Sequence, residues 1–344
     1  MSDKITLNQS YLGISVSAWK VILGFTLFRL FLALILPLTP QEAYYWSWSR
    51  DLALSYFDHP PLASYSIWFT TLIFGQTIFG IKLAAVLWYL GMNIIWATMI
   101  QEMFDNSRQS FWTLLALNAS IVFELYGFVI TPDTPLLFCW TATIYALWKL
   151  VQTEHPKWWY VAGLFMGLAW LGKYSGIMLV PSVLLFTIVS KNQRKWLLTP
   201  HPYLGVLLSI LVFSPVLIWN VQHDWISFAF QGSQRASGMG HWKVKHFGEL
   251  LGSQFFILSP YLFVVVFATL IRYGRKLFTD LEDKLLLLLS SGLVTSVFFI
   301  AVSFRSLVKM NWLAPAYWSL IILGVYHLFQ SSNRFNRMRM GIFS

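Results

Sequence analysis

Runs of apolar residues about as long as a bilayer is thick recur along nearly the whole chain, and nothing else in the sequence restricts its fold as strongly. A helix rises about 1.5 Å per residue, so roughly twenty residues cross a ~30 Å hydrocarbon layer. Windows of this kind fall at 19–38, 81–100, 111–130, 134–151, 158–172, 174–190, 203–219, 251–271, 285–303 and 312–329. Within lipid, backbone N–H and C=O groups must find partners inside the segment. The windows therefore predict an all-α, polytopic transmembrane helix bundle of about ten spans. No soluble domain, low-complexity tract or short-period repeat interrupts them, so 1–344 reads as a single transmembrane domain. The first run, Val21 to Leu38, exceeds a typical leader core and lacks a small-residue cleavage site, so it reads as an uncleaved span.

Composition agrees with this reading. With 57% hydrophobic and 11% charged residues, the chain has too few charges to cover a soluble protein of 344 residues. Its net charge of +10 sits in short loops between apolar runs, which points to anionic lipid headgroups and away from nucleic acid. Cys139 lies inside an apolar run, so no disulfide framework exists.

Lys and Arg set the orientation. With the N-terminus in the cytoplasm, roughly fifteen basic residues fall in cytoplasmic segments and about eight outside, although the outer loops are longer. Both termini come out cytoplasmic. The outer face then collects Gln41-Glu42, Tyr56 to Pro61, Thr131-Pro132-Asp133, Lys173-Tyr174, Trp219-Asn220 to Trp225, and Lys309 to Trp312. The cytoplasmic loops hold mainly solvating charge. That asymmetry predicts a reaction centre at the outer membrane surface, with outer loops 39–80 and 220–250 contributing to it.

Loop 39–80 holds Glu42, Asp58 and His59 in a Trp/Tyr-rich stretch. Carboxylates beside an apolar interface need a partner or a cation, so Glu42 and Asp58 are candidates for catalytic base, metal ligand or both. Equally, they fit loop charges, with Glu42 capping a short interfacial helix. Pro60-Pro61 stiffens the turn after Asp58-His59. A divalent metal on Glu42, Asp58 and His59 is a candidate cofactor, although no HxxxH or CxxC spacing supports one. Asp133 reads first as an N-cap. Lys173, wedged between two apolar spans, calls for an anionic partner, for which a phosphate is natural. Arg235 and Lys309 extend an outer cationic set, while Lys82 and Lys243 read as snorkelling. Arg29 and Glu124, inside the first and third spans, read as a structural ion pair.

Gln41-Glu42-Ala43-Tyr44-Tyr45-Trp46 followed by Tyr56-Phe57-Asp58-His59-Pro60-Pro61-Leu62 resembles the first outer loop of glycosyltransferase family 39 membrane enzymes. That family includes protein O-mannosyltransferases and the lipid A aminoarabinose transferase. The likeness continues through Thr131 to Pro135, Gly172-Lys173-Tyr174, Ser214-Pro215 to Trp219-Asn220, and Asn311 to Pro315. It implies a C-type glycosyltransferase fold in the bacterial cytoplasmic (inner) membrane, with its site facing the periplasm. It also implies a polyprenyl-phosphate sugar donor and an envelope acceptor, whether lipid A/lipopolysaccharide, another glycan or a protein. His59, Asp133, Lys173, Tyr174, Asn220, Arg235, Lys309 and Asn311 then become candidate substrate-binding residues. The family carries Asp-Glu at the loop start, with the Asp as base, whereas this chain has Gln41 there. The rival classes are a transporter or flippase of lipid-linked sugars, which would favour polar mid-membrane residues and broken helices, and an O-antigen polymerase or ligase.

Overall fold

The structure, a computed structural model, describes residues 10–234, 242–279 and 281–342. Helix α1 (Val16–Ile35) follows a two-residue antiparallel strand pair, Ser10–Tyr11 with Ile14–Ser15, the one sheet among the described residues. Next come α2 (Pro40–Ser49), α3 (Leu62–Phe74), α4 (Ile78–Phe104), α5 (Ser107–Asn118), α6 (Ile121–Tyr126), α7 (Asp133–Thr153) and α8 (Lys157–Gly172). A 3-10 turn at Tyr174–Met178 leads into α9 (Leu179–Val189), and a second at Arg194–Leu198 leads into α10 (His201–Gln222). The chain continues through α11 (Ile226–Ala229), a π turn at Phe230–Gln234, α12 (Val244–Leu258), α13 (Pro260–Gly274), α14 (Asp283–Ser303) and α15 (Ala314–Ile342). Local signals start several helices. Ser15, Thr39, Thr77 and Asn106 each accept a hydrogen bond from a backbone N–H three residues on, the N-cap arrangement.

Polar links identify two ends of the bundle. At one end the start of α4 meets α2 through Lys82 and Glu42, and the start of α7 meets the end of α8 through Asp133 and Lys173. At the other, Glu102 of α4 accepts from Tyr145, Trp148 and Lys149 of α7. There too Asp283, opening α14, accepts from Ser190, Asn192 and Gln193 after α9. Between the ends α8 and α10 pack closely, because a Cβ on Gly163 would strike the carbonyl of Gly205. The Ser209 hydroxyl donates to the Gly163 carbonyl at 2.8 Å. Small residues spaced four apart, Gly163 and Gly167 against Gly205 and Ser209, are how helices without a hydrophobic drive between them come into contact.

The all-helical membrane architecture matches the sequence reading, but several windows are not single spans. Among the described residues, five helices (α1, α4, α7, α10 and α14) are each long and apolar enough to cross a membrane. The window 251–271 is instead two helices, α12 and α13, bent by 118° at Ser259-Pro260, and counts at most as one further crossing. Proline starts α13 because it cannot donate into the preceding turn. The window 111–130 is likewise broken, between α5 and α6. The segment taken for a loop, 39–80, contains α2 and the apolar α3. The Arg29–Glu124 pair is present, with Asn118 also accepting from Arg29 at 2.8 Å.

Candidate active site

The site grows from α2. Thr39 caps this helix in a reciprocal box: its hydroxyl accepts from Glu42 N at 3.2 Å, while Glu42 Oε2 accepts from Thr39 N at 2.9 Å. Lys82 Nζ then donates to both Glu42 oxygens, at 2.9 and 2.7 Å, and neither residue has exposed surface (0% each). This corrects two expectations. Lys82 does not snorkel to the interface, because it lies in the first turns of α4 against a carboxylate. Glu42 has its oxygens committed to the fold, which leaves it poorly placed to take a substrate proton. Gln41, one residue earlier, is exposed. Consecutive helical residues point in different directions, so adjacency in sequence does not bring Glu42 to where an Asp at 41 would act.

Asp58 is half-buried and accepts from the Tyr44 hydroxyl at 3.2 Å. Burial first, then the Asp58 charge and hydrogen bond, push the Tyr44 phenol up to about 12, so it remains a donor at neutral pH. The Tyr45 phenol is also pushed up, by burial and then by the charges of Asp58 and Asp133, which act on it together. His59 lies edge-on to the Tyr45 ring at 6.0 Å between centroids. The loop is held by the segment that follows α10. Ser227 donates to the Tyr56 carbonyl at 2.9 Å, Gln231 to the Asp58 carbonyl at 2.6 Å, and Phe57 packs on Phe230. Glu42, Asp58 and His59 do not form a metal ligand set: among the described residues no three His, Cys, Asp or Glu side chains come together in that way.

Asp133 and Lys173 form the second buried pair, with Lys173 Nζ donating to both carboxylate oxygens at 2.8 and 2.9 Å. Asn311 Nδ2 joins Asp133 at 2.8 Å. Asp133 occupies the first turn of α7, where the helix dipole favours an anion. Its side chain does not cap that helix, however, because its oxygens go to Lys173 and Asn311. Lys173 does need an anionic partner, as its position predicts, and the partner is Asp133. Residues 178 positions apart in sequence thus meet, which no local spacing announces. Beside them the Tyr174 hydroxyl faces Ser55, Asn220 and Ser227. The Tyr174 hydroxyl, the Ser55 hydroxyl and the Asn220 side-chain carbonyl are buried without a hydrogen bond among the described residues. Tyr44, Tyr45 and Ser55 are site residues that sequence reasoning did not single out; the aromatic run beside Glu42 was the available signal. Lys309 is exposed, two residues before Asn311, and Arg235 lies outside the described residues.

Comparison with known proteins defines the fold. The architecture matches crystal structures of ArnT from Cupriavidus metallidurans. The TM-score is 0.70 to the form bound to undecaprenyl phosphate, at 19% identity over 95% of this chain and 63% of that one. For the apo form it is 0.66, at 20% identity over 94% and 62%. This is the C-type membrane glycosyltransferase fold. Residues 58–219 match the model of the Dolichyl-phosphate-mannose-protein mannosyltransferase family, in line with the resemblance carried by the segment around Asp58. It is 26% identical over 322 residues to the lipid A galacturonosyltransferase RgtD of Rhizobium johnstonii, a match covering 91% of this chain and 66% of that protein. The chain therefore spans a little under two thirds of the length of each of these relatives.

Proposed function

We propose that this chain transfers a sugar from a polyprenyl-phosphate donor to a lipid A or lipopolysaccharide acceptor at the outer face of the bacterial cytoplasmic membrane. The carrying observation is that Asp58 and the Lys173-paired Asp133 both lie near enough to Tyr45 for their charges to act on it, which gathers two carboxylates and a cation around one aromatic side chain. The relatives add weight, one being a lipid A galacturonosyltransferase and another having been crystallised with undecaprenyl phosphate.

In this reading Asp58 takes the proton of the acceptor hydroxyl, and the oxygen attacks the anomeric carbon. The carbon–oxygen bond to phosphate breaks with inversion, and its electron pair leaves on the polyprenyl phosphate. Lys173 meets the new charge: an ammonium has three donors, and Asp133 occupies two of them. Asn311 and Asp133 hold Lys173 in place, while Tyr174, Asn220 and His59 receive sugar and phosphate oxygens. Lys309, exposed two residues before Asn311, adds positive charge beside the site. Loops 39–80 and 220–250 together frame the site. The chain passes the membrane about ten times, with the bent α12–α13 pair and the broken α5–α6 segment as incomplete passes and both termini in the cytoplasm.

The test is direct. Purified protein is incubated with a panel of undecaprenyl-phosphate sugars and lipid A, and release of undecaprenyl phosphate is followed together with sugar incorporation. A folded preparation that turns over no donor in the panel would remove the proposal and leave the fold alone.

A further inference from the structure

Arg29, buried near the end of α1, is anchored on both sides of the break between α5 and α6. Its Nη2 carries two hydrogens, and each side of the break receives one. Asn118 Oδ1, on the last residue of α5, accepts at 2.8 Å, and Glu124 Oε2 accepts from α6. Asn118 is itself fixed, because its Nδ2 donates to Asn93 Oδ1 of α4 at 2.7 Å, and Asn93 donates to the Tyr89 carbonyl at 2.9 Å. The guanidinium lies over the Tyr89 ring, 4.1 Å from its centroid. Gly127 also closes on it, so tightly that a Cβ there would strike Arg29 Nε. With six residues, α6 is too short to keep a direction by its own hydrogen bonds, so its packing partners orient it. Phe123, edge-on to Trp96 at 5.5 Å, supplies the apolar part of that hold. Arg29 supplies the polar part.

Between Glu124 and Gly127, the two α6-side contacts of Arg29, stands Tyr126. It is buried, and its hydroxyl faces the Asn311 side chain within the field of Asp133. Asn311 and Lys173 both donate to Asp133 Oδ2, at 2.8 and 2.9 Å. The stretch after α6 is tied to the same place: the Thr134 hydroxyl donates to the Val129 carbonyl at 3.2 Å and accepts from Thr131 N at 3.3 Å, in the turn that opens α7. We infer that Arg29 and Tyr126 are positioning residues for the donor phosphate. Arg29 fixes α6, and Tyr126 holds Asn311 on Asp133, so that the remaining donor of Lys173 stays aimed into the site; this rests on the sugar-transfer reading above. Neutralising a charge inside the membrane would need Glu124 alone. The bond to Asn118 and the close approach of Gly127 add a fixed geometry to that charge balance, and the side chain they steer is the one that reaches the Asp133 cluster.

The test is steady-state kinetics of the full-length protein in micelles, with an undecaprenyl-phosphate sugar and lipid A varied separately and denaturant unfolding run alongside. Tyr126→Phe keeps the ring and removes the hydroxyl. It should raise the donor KM about two- to tenfold, the worth of one hydrogen bond, and leave the lipid A KM and the unfolding midpoint close to wild type. Gly127→Ala keeps every charge but displaces Arg29, and should raise the donor KM at least as much. Combining the two should cost no more than the worse single change, because both act on one path, whereas independent effects would multiply. Arg29→Met/Glu124→Gln, which removes both charges together, should show the same split between donor and acceptor. Equal rises in both KM values, or lost stability with both KM values unchanged, would make Arg29 a structural residue only and overturn the inference. An unchanged donor KM in folded Tyr126→Phe overturns it without any Arg29 variant having to fold. A wild-type protein that turns over no donor instead removes the sugar-transfer reading, and the inference with it, so wild-type activity tells the two failures apart.

Discussion

Exchanging Lys82 for Met isolates what the buried pair between α2 and α4 does. Met roughly preserves the stem's volume, so the change removes charge without opening a cavity. It leaves the Glu42 carboxylate, with no exposed surface, without the ammonium that reached its oxygens at 2.9 and 2.7 Å. Stranding one member of a buried pair costs about 3–5 kcal/mol. Glu42→Gln alone strands Lys82 in turn and should cost a similar amount. The double variant Lys82→Met/Glu42→Gln carries no buried charge, and its amide oxygen still accepts from Thr39 N, so it should recover most of the loss. A coupling free energy of about 2 kcal/mol or more is expected from the cycle. The assay is denaturant unfolding of the four proteins in the same micelle, paired with sugar transfer. A loss below ~1 kcal/mol for Lys82→Met would refute the structural role. So would a Glu42→Gln protein as stable as wild type but without turnover, which would make Glu42 the base.

Asp58→Asn should fold and insert normally yet lose about a hundred- to ten-thousand-fold in transfer rate, read with a verified donor, whereas near-normal turnover would remove it as base. Gln41→Asp, at an exposed position, should be tolerated without loss of stability and should raise turnover by restoring the family's acidic pair, as measured in the same transfer assay. Lys173→Met should weaken donor binding and destabilise the protein by stranding Asp133; adding Asp133→Asn should restore the unfolding free energy but not donor affinity. Cysteine labelling should find Asp58 and Asn192 positions on opposite sides of the membrane, on the quiet background of a buried Cys139; labelling of both from one side would overturn the topology.

Much of this protein is legible in one dimension because lipid enforces local rules. A segment such as 203–219 has no option but helix once it enters hydrocarbon, and α10 spans it at His201–Gln222. The first outer loop was legible for a different reason: its aromatic and acidic residues lie together in sequence, and Asp58, Tyr44 and Tyr45 meet through short-range contacts. The windows at 111–130 and 251–271 misled because hydropathy averages over a stretch and does not register a break. Ser259-Pro260 turns the chain by 118° with little change in mean apolarity.

Composition and the spacing of apolar runs by themselves determined a helical membrane protein whose charges in or beside the spans need partners, since burial of a charge in lipid is too costly to be incidental. They could not assign partners. Lys82 looked like an interfacial lysine, Asp133 like a cap, and Lys173 called for an anion it could not identify, because a charge in a sequence advertises a need for a counterion without naming it. Only the packing of α4 against α2, and of α7 against α8 and the start of α15, decided that Lys82 neutralises Glu42 and that Lys173 and Asn311 converge on Asp133. Coulomb attraction acts through space over a few ångströms, so the assignment belongs to tertiary distance and not to position along the chain.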